Sequence, residues 1–123
     1  MNLVSILKAL SDENRLRIIY LLMEDPLCVC EIEALLNITQ SNASRHLNKL
    51  KHAGIIDSFK KAQWVYYVVS DHFKENNQEL MTYLLKNTNY EEDKSLLIKY
   101  KNSVYDCTCL KEDKEKVLMA LKK

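Results

Sequence analysis

Asn37-Ile-Thr-Gln-Ser-Asn-Ala-Ser-Arg-His-Leu-Asn-Lys-Leu-Lys-His-Ala-Gly-Ile-Ile56 is the stretch whose reading decides the fold. Thr39 or Gln40 opens a helix, Gly54 closes it, and Ala43, Leu47 and Leu50 fall at i, i+4 and i+7 on one inward stripe. The opposite face presents Gln40, Ser41, Asn42, Ser44, Arg45, Asn48 and Lys49, most of them short or forked hydrogen-bonding side chains. Such groups at the N-terminal end of a helix match base edges and phosphates in a major groove. A solvated helix face would look similar taken alone, and the flanking segments argue against it.

Upstream, a helix begins near Cys30, which stands where Ser or Thr is usual, with Glu33 three residues on as a capping-box partner. Ile32, Leu35 and Leu36 form its buried face, and Asn37-Ile38-Thr39 is the tight turn of a helix-turn-helix. Downstream of Gly54 the period changes from 3.6 to 2. Ile55–Phe59 and Trp64–Val69 are rich in β-branched and aromatic residues, and Lys60-Lys61-Ala62-Gln63 joins them. This predicts a two-stranded hairpin, or wing, whose Lys60, Lys61 and Gln63 are placed to grip phosphates or enter a minor groove. Lysines also keep a solvated hairpin from pairing edge to edge.

Further out, Leu3, Val4, Ile6, Leu7 and Leu10 mark a short apolar helix over 3–10. Ser11 and Asp12 offer caps for a second helix, Glu13 to Glu24, with Leu16, Ile19, Tyr20 and Met23 inward, and Asp25-Pro26 stops it. Ser70-Asp71 caps another helix running to about Asn87, apolar at Phe73, Leu80, Met81, Leu84 and Leu85. This helix and helix 3–10 expose more apolar surface than a monomer of this size covers, so they are expected to pair with their copies in a two-fold homodimer. From Tyr90 onward, amphipathic stretches at 95–104 and 112–121 flank Tyr105-Asp-Cys-Thr-Cys-Leu110. The pattern is mainly α with a small β-hairpin. Residues 1–88 read as a winged helix-turn-helix domain for DNA binding and dimerisation, and residues 89–123 as a helical extension carrying a Cys-X-Cys pair.

The 123 residues suit one domain, and a single Gly and a single Pro leave little for long loops. Net charge is only +1, but residues 39–69 carry +4 and the remainder −3, the distribution a small DNA reader needs. No stretch approaches the roughly 20 apolar residues of a membrane span, and Met1-Asn-Leu-Val-Ser-Ile lacks a charged leader, so a cytoplasmic location is expected. In that compartment the four cysteines, paired as Cys28/Cys30 and Cys107/Cys109, point to thiols or metal ligands rather than structural disulfides.

Four segments together resemble the ArsR family of winged-helix, metal-responsive repressors, and within it the arsenical-resistance branch. They are Ala9-Leu-Ser-Asp-Glu-Asn-Arg-Leu-Arg-Ile18, Leu27-Cys-Val-Cys-Glu-Ile32, Ser41-Asn-Ala-Ser-Arg-His-Leu47 and Trp64-Val-Tyr-Tyr67. The resemblance covers residues 1 to about 88 and implies a homodimer that binds double-stranded operator DNA and lets go when metal or metalloid binds. It also implies that Cys28 and Cys30 are thiolates for As(III) or Sb(III), or in a sister branch for Cd(II), Pb(II) or Zn(II). Two departures stand out. The third cysteine some arsenical repressors carry in the same helix is here Glu33, and the zinc site of the dimerisation helix lacks a later His to partner Asp71 or His72.

A cysteine at a helix N-terminus meets amide groups and the helix dipole, so Cys28 and Cys30 are expected to have lowered pKa values and to suit soft ions. Arsenite prefers three thiolates, for which Cys107 or Cys109 is the obvious third. All four cysteines together would make a tetrahedral site for a divalent ion. A thiol redox switch on the same DNA-binding protein remains open, as do a structural zinc module and small buried cysteines without a ligand. A thiol enzyme is disfavoured, because there is no Cys-X-X-Cys, phosphate-cradling loop or His-Glu-X-X-His. His46 flanks the inward stripe and is expected to be a packed core residue rather than a base reader.

Overall fold

The computed structural model describes residues 2–122. Each of the first helices starts on a side-chain cap. Asn2 Oδ1 accepts from the Val4 N–H at 2.8 Å to open α1 (Leu3–Leu10), and Asp12 Oδ1 accepts from the Arg15 N–H at 3.1 Å to open α2 (Glu13–Leu22). Of the stripe expected on α2 only Ile19 is buried, and Leu16, Tyr20 and Met23 are half-buried. Ile18, Leu21 and Leu22 are buried along with Ile19, because α2 packs against other helices on several sides.

The next helix, α3 (Val29–Leu36), begins two residues before the expected start. Cys28, not Cys30, is its N-cap, and the reciprocal carboxylate is Glu31, not Glu33: Glu31 Oε1 accepts from the Cys28 N–H at 3.0 Å. The shift arises because Leu27 and Cys28 are extended strand residues, so the helix can start at once after them. Asn37, at φ 55°, ends α3 with paired bonds from its own N–H to Ala34 O and from the Ile38 N–H to Glu33 O. Thr39 then caps α4 (Gln40–His52) by accepting from the Asn42 N–H at 3.2 Å. Ala43, Leu47 and Leu50 are fully buried, as their spacing predicts. Gly54 closes α4 at φ 77°, with its N–H on Lys51 O and the Ile55 N–H on Leu50 O, both at 3.0 Å.

The hairpin is present but is part of a three-stranded antiparallel sheet, β1 (Leu27–Cys28), β2 (Ile56–Lys61) and β3 (Trp64–Val69), in the order β1-β3-β2. Leu27 pairs with Tyr67 and Cys28 with Tyr66; β2 and β3 run in register from Ile56 opposite Val69 to Lys61 opposite Trp64. The connection is only Ala62-Gln63, so Lys60 and Lys61 belong to the strand. Ala62 sits at φ 56°, a left-handed conformation that costs an L-residue about 1–2 kcal/mol.

The helix expected over 71–87 is broken into α5 (Asp71–Asn76) and α6 (Gln78–Asn87). At Asn77 the backbone leaves the helical region, and its side-chain amide donates at 2.9 Å to Phe73 O, the carbonyl a continuous helix would bond to the Asn77 N–H. The tail forms α7 (Glu91–Lys101), which starts before the stretch read at 95–104 because acidic residues extend its first turn, α8 (Cys107–Glu112), which Asp106 caps over the Cys-X-Cys segment, and α9 (Lys114–Leu121), which lies within the stretch read at 112–121. Leu97, Tyr100, Leu110, Val117, Leu118 and Leu121 join the same apolar core as α2, α3 and α4. Arg17 grips Asp93 through Nε at 2.8 Å and Nη2 at 2.9 Å, and Lys94 with Glu24 and Lys101 with Asp25 continue the seam between α2 and α7. Leu3, Val4 and Leu7 on α1 and Tyr83 on α6 stay more than half exposed.

Two backbone positions give opposite expected outcomes. Gly54→Ala lowers unfolding free energy by about 1–2 kcal/mol, whereas Ala62→Gly raises it by up to about 1 kcal/mol, the relieved strain less the entropy of glycine. Urea denaturation of the three proteins side by side measures both signs.

Candidate functional site

Cys28 and Cys107 come together within one chain. The N-cap of α3 brings one thiol and the first residue of α8 brings the other, 79 positions apart in sequence, with Sγ atoms 2.7 Å apart and both residues buried. Glu31 completes the cluster: its carboxylate and the two sulfurs all lie within 4.8 Å of one another. Glu31 is held from two sides, by the Cys28 N–H and by the Tyr100 hydroxyl, which donates to Oε2 at 2.5 Å. Cys30 and Cys109 lie half-buried on the same two helices and are not members of that tight cluster. Sequence reasoning passed over Glu31 and Tyr100. The acid of the Leu27–Ile32 segment was a visible signal for Glu31, but nothing local marks Tyr100, whose role depends on how the tail folds back.

The thiols are not acidified, contrary to the expectation from the helix dipole. The hydrogen bond with Cys107, then burial, then the Glu31 charge push the Cys28 thiol up. Burial and the charges of Cys28 and Glu33 push Cys30 up as well. A helix terminus contributes a fraction of a charge, and at Cys28 the contact with Cys107, burial and the nearby Glu31 carboxylate together outweigh it. Tyr66, opposite Cys28 across the strand pair, is pushed up to about 12 by burial and then by the neighbouring Cys107 and Glu31 charges. Soft thiol donors beside one carboxylate, in a buried setting, fit a thiophilic cation that displaces the thiol protons on binding.

A second surface is formed by α4 and the wing. Gln40, Ser41, Asn42, Arg45, Asn48 and Lys49 are exposed on α4, and Ser44 is half-buried between them. Lys60, Lys61 and Gln63 are exposed on the wing. Arg45 donates to Asn42 Oδ1 at 3.2 Å, so those two side chains are held side by side. Behind this face His46 is buried, with Nδ1 3.1 Å from Arg15 Nη1. A guanidinium only donates, so Nδ1 accepts and the imidazole is neutral with its proton on Nε2. Arg15 also donates through Nε to Ala9 O at 2.6 Å, which ties α1, α2 and α4 at one point.

The helix pair, three-stranded wing and flanking helices define a winged helix-turn-helix protein. A family model described as bacterial regulatory protein, arsR family, matches residues 12–58. The arsenic resistance transcriptional regulator ArsR2 of Pseudomonas putida is 34% identical over 96 residues, which cover 76% of this chain and 84% of that protein. The cadmium resistance transcriptional regulatory protein CadC of Listeria innocua is 46% identical over 65 residues, 52% of this chain and 55% of CadC. The chain therefore spans about half the length of the cadmium-resistance relatives it matches. Among solved structures, HlyU from Vibrio cholerae superposes with a TM-score of 0.58 at 34% identity, covering 68% of this chain and 91% of HlyU. The chain belongs to the ArsR family of bacterial regulatory proteins. Among the described residues no helix is long and apolar enough to cross a membrane.

Two measurements test this electrostatic picture. In the native protein, timed alkylation with iodoacetamide followed by peptide mass spectrometry modifies Cys28 and Cys107 last, after Cys30 and Cys109. Burial also pulls His46 below its ordinary 6.5. The unfolded chain then binds the imidazole proton more readily, so stability is full above 6.5 and falls as pH drops through that value toward the folded-state pKa, by at most about 1.4 kcal/mol per pH unit. His46→Gln, which keeps an acceptor for Arg15, flattens that slope in urea titrations between pH 7 and 5.

Proposed function

We propose that the protein is a metalloid-responsive transcriptional repressor that binds operator DNA as a homodimer and is released when As(III) or Sb(III) is taken up by cysteine thiolates. The observation that carries this reading is the Cys28–Cys107 pair, 2.7 Å between sulfurs, at the N-cap of the first helix of the helix-turn-helix. Cys30 or Cys109 supplies the third thiolate arsenite prefers. Use of all four cysteines gives the alternative within the same class, a tetrathiolate sensor of Cd(II), Pb(II) or Zn(II). Relatives named for arsenic and for cadmium resistance support the class and leave the ion open.

Release follows from where Cys28 sits. Cys28 and Cys107, with Cys30 or Cys109, would hold the ion, and ligation would act directly on the Cys28 thiol at the start of α3. Cys28 is at once a strand residue paired with Tyr66 on the wing and the cap of α3. Its movement therefore reaches both the wing and, through α3 and the Asn37 turn, the start of α4. A coupling of 1–3 kcal/mol corresponds to about 5–150-fold weaker operator affinity. The exposed apolar faces of α1 and α6 pair with their copies in the dimer, and the two recognition helices enter major grooves about 34 Å apart.

A redox switch is the second reading, favoured by the same contact between thiols. A peroxide would accept two electrons and leave as water and alcohol while the two thiols lose their protons and form one S–S bond.

The test is titration of the reduced, metal-free protein with arsenite, cadmium and zinc on a fluorescent fragment of its own promoter. Arsenite releases DNA at low equivalents, and Cys28→Ser with Cys107→Ser preserves DNA binding and abolishes release. Release that survives in the double variant places the site elsewhere. Release by cadmium alone identifies the tetrathiolate sensor, and DNA binding indifferent to all three ions but lost on mild peroxide treatment identifies the redox switch.

A further inference from the structure

The tail does more than deliver two cysteines. Its return packs α8 on α3, and beside the wing lies a groove of about 550 Å³ whose walls include Cys30, Gln40, Gln63, Trp64, Lys111 and Lys114. Gln40 is the first residue of the recognition helix and Gln63 is in the wing turn, so the groove opens between the two elements read as DNA-contacting. Lys111 stands over the Trp64 indole, its Nζ 5.8 Å from the ring centroid, and Trp64 is the strand partner of Lys61. Lys114 is 3.3 Å from Glu33, which neutralises the one carboxylate lining the groove. Lys111 makes no ion pair among the described residues and is exposed. An ammonium over the face of an aromatic ring is held by the ring's quadrupole, so Lys111 keeps its charge at the wing.

We propose that Lys111 is a third phosphate-contacting element, beside the recognition helix and the wing, so that the C-terminal extension completes the DNA-binding surface. The occupant of the groove mouth is the phosphate backbone of operator DNA, which must pass between a segment read by α4 and a segment gripped by the wing. The complementarity is of charge: Lys111 lies over the Trp64 ring, Trp64 is the strand partner of Lys61, and Lys60, Lys61 and Lys111 are all exposed. The contact lies outside residues 12–58, the part the family model matches. It is also coupled to the thiols, because Cys107, Cys109 and Lys111 share one six-residue helix.

This inference rests on the DNA-binding reading, and one experiment separates their failures. Reduced full-length protein, Lys111→Gln, Lys111→Arg and the control Lys99→Gln on exposed α7 are titrated onto the same promoter fragment between 50 and 300 mM salt, with circular dichroism to confirm equal folding. Each lost phosphate contact lowers the slope of log affinity against log salt by about 0.9, hence about 1.8 for a dimer. Lys111→Gln is expected to show that smaller slope and at least about tenfold weaker binding near 0.1 M salt. Lys111→Arg and Lys99→Gln are expected to match the unaltered protein. Equal affinity and slope for Lys111→Gln and the unaltered protein overturn the inference and leave the repressor reading standing. Failure of the unaltered protein to bind any duplex in a salt-dependent way overturns both.

Discussion

A buried carboxylate must be satisfied, and the Glu31 carboxylate is where this structure depends most heavily on that rule. It is only 4% exposed, with one oxygen on the Cys28 N–H and the other on the Tyr100 hydroxyl. The first bond fixes where α3 begins and therefore the height of the whole reading head. The second ties that helix start to α7, and so holds the tail in the path that delivers Cys107 to Cys28. Removing Glu31 would free the helix start and the tail together, whereas either cysteine could be removed without disturbing the other's backbone.

The same carboxylate adds to what pushes the Cys28 thiol up, after the hydrogen bond with Cys107 and burial. Dipole and amide groups at the start of α3 favour a thiolate, and a negative neighbour in a buried site disfavours one. The contact with Cys107 and burial weigh further against it at Cys28, and Glu31 lies within 4.8 Å of both sulfurs. Under the proposed function a soft cation supplies the compensating positive charge.

The sequence exposed whatever is periodic and local. The α4 stripe at Ala43, Leu47 and Leu50, the Gly54 stop and the change of period after it are each written in consecutive residues, and each is found where expected. Strand β1 was illegible because two residues display no period, and missing it misplaced the α3 cap by two positions. The break at Asn77 was hidden by an apolar pattern that continues through it; only the side-chain bond to Phe73 O interrupts the helix. Cys28 and Cys107 were both visible as members of Cys-X-Cys pairs, but their meeting depends on Arg17–Asp93, Tyr100–Glu31 and the shared core, contacts across roughly 70 positions that no local pattern records.

Placing the thiol pair at a strand that is also a helix cap has a mechanical consequence. A ligand acting in the middle of α3 would have to rotate or shift the helix against Ile32, Leu35 and Leu36, all buried in the close-packed core, and such packing resists small displacements. Cys28 lies instead at the junction of two hydrogen-bonded systems, the β1–β3 ladder and the α3 start, where a shift of about 1 Å breaks or retains individual bonds. The wing and the recognition helix diverge from that junction, and α8 rests on the wing through Lys111 and Trp64. Under the proposed function, a displacement small enough to leave the core intact therefore acts on the relative placement of the wing and α4.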